Sequence, residues 1–161
     1  ALAEQSAGRD VDISVAPSLE AAVSGADVVN VCTHASEPIL YSELLSPGVH
    51  INSVGLNPAG RELAADLVAS SSIYVEFRDA ALGPGLAGSN DLLWPIRDGL
   101  MVADDIVGEI GDVISGNAPA RRLDREVTIY KSVGVGVQDA VAAGMVLDAA
   151  HATGQGVDMS F

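Results

Sequence analysis

Two short runs in this chain put small hydroxyl, thiol, imidazole and ammonium groups next to glycine. They are Cys32-Thr33-His34 and Lys131-Ser132-Val133-Gly134. Each ends a β-branched run of strand length, Asp27 to Cys32 and Glu126 to Tyr130. Open α/β sheets bind ligands at the carboxyl ends of such strands, so hydroxyls and backbone groups there are placed to meet a small molecule. Gly134 permits close backbone approach, a role that a residue without Cβ fills easily. Lys131 reads either as a site cation or as a surface charge, and the sequence does not choose. Three histidines and one cysteine lack close ligand spacing, so no metal site is expected. His50 reads as a structural ring in strand-end packing. No catalytic residue is assigned, because geometry must precede any argument from proton affinity.

Two glycine strings imitate a phosphate loop. Gly83-Pro84-Gly85-Leu86-Ala87-Gly88 fits G-x-G-x-x-G, but five residues separate it from Phe77 and no amphipathic helix is evident before Pro95. The chemistry of that string needs a strand, a tight turn and a helix whose N–H groups meet the pyrophosphate. A flexible surface loop is the better reading. Gly134-Val135-Gly136-Val137-Gln138-Asp139 does lie between a strand and a helix. Its third glycine position, however, holds Asp139, a carboxylate that would crowd an anion. Glycines that let a helix pack closely are expected there instead.

The elements that must carry these groups alternate. Strands are expected over Asp12 to Val15, Asp27 to Cys32, Val49 to Val54, Ser72 to Phe77 and Glu126 to Tyr130. Helices are expected over Ala1 to Gly8, Leu19 to Val23 behind a Ser18 cap, Glu62 to Ala69, Val102 to Ser115 and Gly136 to Ala152. A short helical turn is expected over Ser42 to Leu45. The last helix, rich in Ala and Val, is expected to be buried on most sides, and Ala80 to Pro95 reads as an irregular crossing. Asp104-Asp105 would complement the dipole of a helix starting at Ile106, and Arg121-Arg122 would be solvated. Alternating strands and helices indicate an α/β layered parallel sheet.

Composition sets the outer bounds. The 161 residues are 48% hydrophobic but only 4% aromatic, so the core must come from aliphatic side chains. Acidic residues outnumber basic ones 22 to 8, a net charge of −14. That balance opposes nucleic-acid or anionic-membrane partners, which need clustered Lys and Arg. No apolar run approaches the ~18 residues of a membrane span. A single cysteine excludes an internal disulfide, so a cytoplasmic protein is the expectation.

Three segments are specific as an ordered set: Ala26 to Leu40, Gly48 to Gly55, and Glu126 to Ala143, supported by Arg61-Glu62-Leu63, Gly108 to Val113 and Gly116 to Arg121. Together they resemble the ornithine cyclodeaminase/mu-crystallin family. The resemblance implies a partial Rossmann-type dinucleotide-binding domain: a parallel sheet with flanking helices over residues 1–115, without its phosphate loop. Residues 116–161 would add a strand and long helix returning to a substrate and dimerisation domain. It further implies NAD or NADP as cofactor, an amino acid, imine or 2-oxo acid as substrate, and a homodimeric parent. A start at Ala1 fits entry one helix after the phosphate loop.

Resemblance also implies the site. Cys32, Thr33 and His34 would lie along the nicotinamide-ribose part of the cofactor, Thr33 with its hydroxyl and Cys32 through its backbone. Ser132 would touch the nicotinamide carboxamide, while Val133 and Gly134 would border the substrate. Cyclodeaminating members carry an aspartate where this chain has Ala35, and alanine has no ionisable group for acid–base work. The Thr33 to Pro38 pattern is closer to ketimine-reductase and alanine-dehydrogenase-like members. The expected activity is therefore imine or amino-acid oxidoreduction. Ornithine cyclodeaminase proper and a non-enzymatic NADPH or small-ligand binder are the alternatives, and the 161 residues alone are expected to be inactive.

Overall fold

The computed structural model describes residues 11–85, 87–157 and 159; the helix expected over Ala1 to Gly8 lies outside the described residues. In chain order the elements are α1 (Leu19–Val23), β1 (Val28–Val31), a 3-10 turn (Ser42–Leu44), β2 (His50–Ser53), α2 (Ala65–Ala69) and β3 (Ser72–Val75). Then follow α3 (Arg78–Ala81), α4 (Asn90–Arg97), a second 3-10 turn (Ala103–Asp105), β4 (Ile106–Glu109), α5 (Ile110–Ser115), β5 (Thr128–Lys131) and α6 (Gly136–Thr153). The Ser18 hydroxyl accepts from the Ala21 N–H at 3.2 Å, which is why α1 begins where it does.

All strand pairs are parallel, in the order β1-β2-β5-β3-β4. The last strand in sequence thus lies at the centre of the sheet. Side chains alternate across the pleat. Val31, Ile51, Ile73, Val75 and Ile129 face one side and are buried with Leu67 and Val68 of α2 and Leu92 of α4. His50, Asn52, Tyr74, Thr128 and Tyr130 face the other, where they line a cavity of about 310 Å³ with Val113 and Arg121.

Four expectations are corrected. Val102 to Ser115 is not one helix: Ile106–Glu109 alternate in burial and pair with β3, and only Ile110–Ser115 coil. Apolar residues spaced for a helix are satisfied by a strand running directly into one. Asp105 consequently caps a turn, accepting from the Val102 N–H at 2.8 Å, rather than facing a helix dipole. Second, Ala80 to Pro95 contains the end of α3 and most of α4, the latter capped by Ser89. Pro95 sits inside α4 and forgoes only the single N–H that would reach back one turn. Third, Asp12 to Val15 is irregular and forms no strand. Finally, α6 buries none of its residues against the described chain: Val137 is 66% and Met145 69% exposed.

Candidate functional site

Register brings Val31, Ser53, Lys131, Val75 and Glu109 into one row at the carboxyl edge of the sheet. Lys131 lies two residues beyond Ile129 and so points to the same, buried face. It is completely buried. Its ammonium donates to the Gly55 carbonyl at 2.6 Å and the Ser53 hydroxyl at 3.0 Å, and pairs with Asp91 Oδ2 at 3.1 Å. Glu62 Oε2 stands 3.9 Å away. Lys131 is thus neither a surface charge nor a free site cation, because three partners already occupy its three N–H groups.

Glu62 ties the ends of β1 and β2 together. Its Oε1 accepts from the Thr33 N–H at 2.5 Å and the Thr33 hydroxyl at 2.7 Å. Its Oε2 accepts from the Ser53 hydroxyl at 2.9 Å and the Gly55 N–H at 3.0 Å. Asp91 in turn holds Glu62, accepting from the N–H groups of Glu62 and Leu63, both at 2.9 Å. A Cβ at position 55 would collide with the Glu62 carboxylate and the Thr33 carbonyl, so glycine there is a packing requirement. Because the Thr33 hydroxyl donates inward and its oxygen accepts from the Ala35 N–H at 3.3 Å, one lone pair remains to face a ligand, as an acceptor.

A second carboxylate does the same at the end of β5. Glu76 follows β3 as Ser132 follows β5, and the two strands are neighbours. Glu76 Oε1 accepts from the Ser132 hydroxyl and from the Gly134 N–H at 3.2 Å; Oε2 accepts from the Val133 N–H at 3.0 Å. Gly134 has φ 75°, the left-handed region. Among the described residues, no heavy atom beyond the immediate chain neighbours and the helix's own backbone lies within 4 Å of a Cβ built at Gly134 or Gly136, so no close helix packing at these glycines is seen within them. Burial and the Glu76 charge push the Tyr130 phenol above its ordinary value. The other glycine string, Gly83 to Gly88, leaves helix α3 rather than a strand, so its backbone is not a strand-to-helix phosphate turn.

The remaining candidates separate. Cys32, Thr33 and His34 are exposed at the end of β1, and Ser132, Val133 and Gly134 stand at the end of β5. One strand, β2, intervenes, so the two groups are about 10 Å apart by strand spacing. His34 Nδ1 donates to the Leu56 carbonyl at 2.7 Å, which leaves Nε2 outward. His50, on the other face, bonds Thr128 Oγ1 at 2.7 Å and Asn52 Oδ1 at 3.1 Å. Arg121 is not simply solvated: it donates to the Glu126 carbonyl at 2.7 Å and to Thr128 Oγ1 at 3.0 Å. Sequence reading missed the roles of Glu62, Glu76 and Asp91. The available signal was a carboxylate immediately after an apolar strand, at Glu76, and one between Arg61 and Leu63.

The chain is 41% identical over 138 residues to the mouse ketimine reductase mu-crystallin, covering 85% of this chain and 40% of that protein. It is 39% identical over 142 residues to a Delta(1)-pyrroline-2-carboxylate reductase of Bacillus cereus, covering 87% and 42%. The chain therefore spans well under half the length of these relatives. Among solved structures, the Thermococcus litoralis Delta(1)-pyrroline-2-carboxylate reductase in complex with NADH and L-proline superposes with a TM-score of 0.87. That match has 30% identity and covers 98% of this chain and 48% of the other. A family model matches residues 1–154, and the chain belongs to the ornithine cyclodeaminase/mu-crystallin family.

Proposed function

We propose that this chain supplies the nicotinamide-facing part of an NAD(P)-dependent oxidoreductase that reduces a cyclic imine or interconverts an amino acid and its 2-oxo acid. The observation that carries the reading is the paired arrangement at one sheet edge: turns Cys32–His34 and Ser132–Gly134, each fastened by a buried carboxylate. Ordered hydroxyl oxygens and backbone groups about 10 Å apart suit a flat ring on its sugar. A bound reduced nicotinamide supplies the hydride. The chain's own part is to hold the ring. Ser132 takes the carboxamide, Thr33 and Cys32 border the ribose with His34 beside them, and Val133 and Gly134 bound the substrate.

Ala35 separates this reading from cyclodeamination, since no acid–base group stands at that position. Residues 116–161 are assigned to the return toward a substrate-binding and dimerisation region, for which the apolar, uncovered α6 is suited. The test is to mix the full-length parent of this chain with NADH or NADPH and Delta(1)-pyrroline-2-carboxylate and follow loss of reduced-nicotinamide absorbance. Turnover with either cofactor, and no proline formed from ornithine, is expected. Tight cofactor binding without turnover would favour the binding-protein reading, and rapid ornithine conversion would refute the assignment.

A further inference from the structure

We propose that Glu76 is a positioning residue that fixes Ser132 as a hydrogen-bond acceptor and so sets which way the cofactor's carboxamide is turned. The inference rests on the reading of Ser132 as a contact of the nicotinamide. The argument is one of donors and acceptors. Val133 and Gly134 present backbone N–H groups, which only donate, so both oxygens of Glu76 must accept. The third partner of this carboxylate is the Ser132 hydroxyl, whose hydrogen is therefore drawn inward. What remains outward is an oxygen lone pair. Glu76 is only 8% exposed, so little water competes for these bonds.

An outward acceptor selects the amino end of a carboxamide and leaves its carbonyl pointing elsewhere. In this way a residue with no place among the ligand contacts sets the turn of the carboxamide relative to the ring. A Gln at position 76 keeps shape and volume but presents an N–H₂ where an acceptor stood. It opposes at least one of the three donors, so Ser132 turns its hydrogen outward or the turn shifts. Misplacement by ~1 Å can lower a rate about 100-fold.

Two readouts test this with Glu76→Gln and Glu76→Asp, both introduced into the full-length parent of this chain. First, amide hydrogen exchange at Val133 and Gly134 should quicken at least about tenfold in E76Q, with the amides of β1 and β2 unchanged. Second, kcat/KM should be compared for the reduced nicotinamide cofactor, its thionicotinamide analogue, which keeps the amino group, and its 3-acetylpyridine analogue, which lacks it. E76Q should lower kcat more than it raises KM for the imine. It should also narrow the wild-type preference for the two amino-bearing cofactors by about tenfold, with partial recovery in E76D. Unchanged exchange at both amides overturns the proposal, as does an unchanged analogue preference. A wild type that turns over no cofactor refutes the proposed function instead, and exchange alone then decides the clasp.

Discussion

Replacing Lys131 by Met removes an ammonium while leaving a stem of similar length. The charges it serves are buried: the Lys131 side chain is 0% exposed, Glu62 3% and Asp91 4%. After the change, Asp91 Oδ2 keeps only the Ser89 hydroxyl at 3.4 Å, and the Gly55 carbonyl loses its 2.6 Å side-chain donor. Breaking a buried ion pair by deleting one partner costs about 3–5 kcal/mol, because the other charge stays behind uncompensated. An orphaned carbonyl falls within that sum rather than adding fully to it, so about 4 kcal/mol is expected. Domains of this size have about 5–15 kcal/mol in total, so K131M should unfold at markedly lower urea. The double variant K131M/D91N separates charge from packing. The amide that D91N introduces can still accept from the Glu62 and Leu63 N–H groups through its oxygen, yet carries no charge. The double variant should recover about 1–3 kcal/mol relative to the sum of the two single changes. A loss below about 1 kcal/mol in K131M, or additive effects in the double variant, would refute the account of Lys131 as the counter-ion of this cluster.

Other consequences follow from neighbouring contacts. Gly55→Ala drives a methyl into Glu62 and Thr33, so stability should fall by more than about 2 kcal/mol in urea titration, and the Thr33 amide should exchange faster. Gly134→Ala meets no neighbour but must hold φ 75°; a milder loss of about 1–2 kcal/mol is expected by the same titration. Glu126 is held below its ordinary value by the Ser72 hydroxyl and then by the Arg122 N–H. A depressed carboxylate stabilises above its unfolded value and loses that contribution as pH falls through the folded one. Glu126→Gln should therefore flatten the acid limb of stability below about pH 4.3 while lowering stability near neutrality. An unchanged acid limb in thermal melts would count against it.

Much of the architecture is written locally. β-Branched runs of four to six residues mark the sites of β1, β2, β3 and β5, since such runs bury well only in a covered sheet. Ser18 marks the start of α1 because its hydroxyl accepts an N–H three residues on, within reach of any chain that begins to coil. Context alone discounts Gly83 to Gly88 as a phosphate loop, because no strand leads into it. Local pattern fails where two elements abut without punctuation: β4 runs straight into α5, so the spacing of apolar residues admits a single helix. The buried place of Lys131 was also within reach, because it shares strand parity with Ile129. With the strand read only to Tyr130, the charge stands outside that parity, and both a site cation and a surface charge remain open.

Which charges meet is a property of the assembled sheet. Glu62 reaches Thr33 across 29 residues of chain, and Glu76 reaches Ser132 across 56. The first pairing follows from β1 lying beside β2, and the second from β5 inserting between β2 and β3, a strand order that no local signal encodes. Family membership, the ends of β1, β2, β3 and β5 and the residue types available there are legible without the fold. Topology then determined that two carboxylates, Glu62 and Glu76, hold the turns on which those residue types are displayed. The physical reason is range. Propensity and periodicity act over a few residues, whereas a buried carboxylate is stable only where distant donors converge on it, and that convergence exists only once the sheet is assembled.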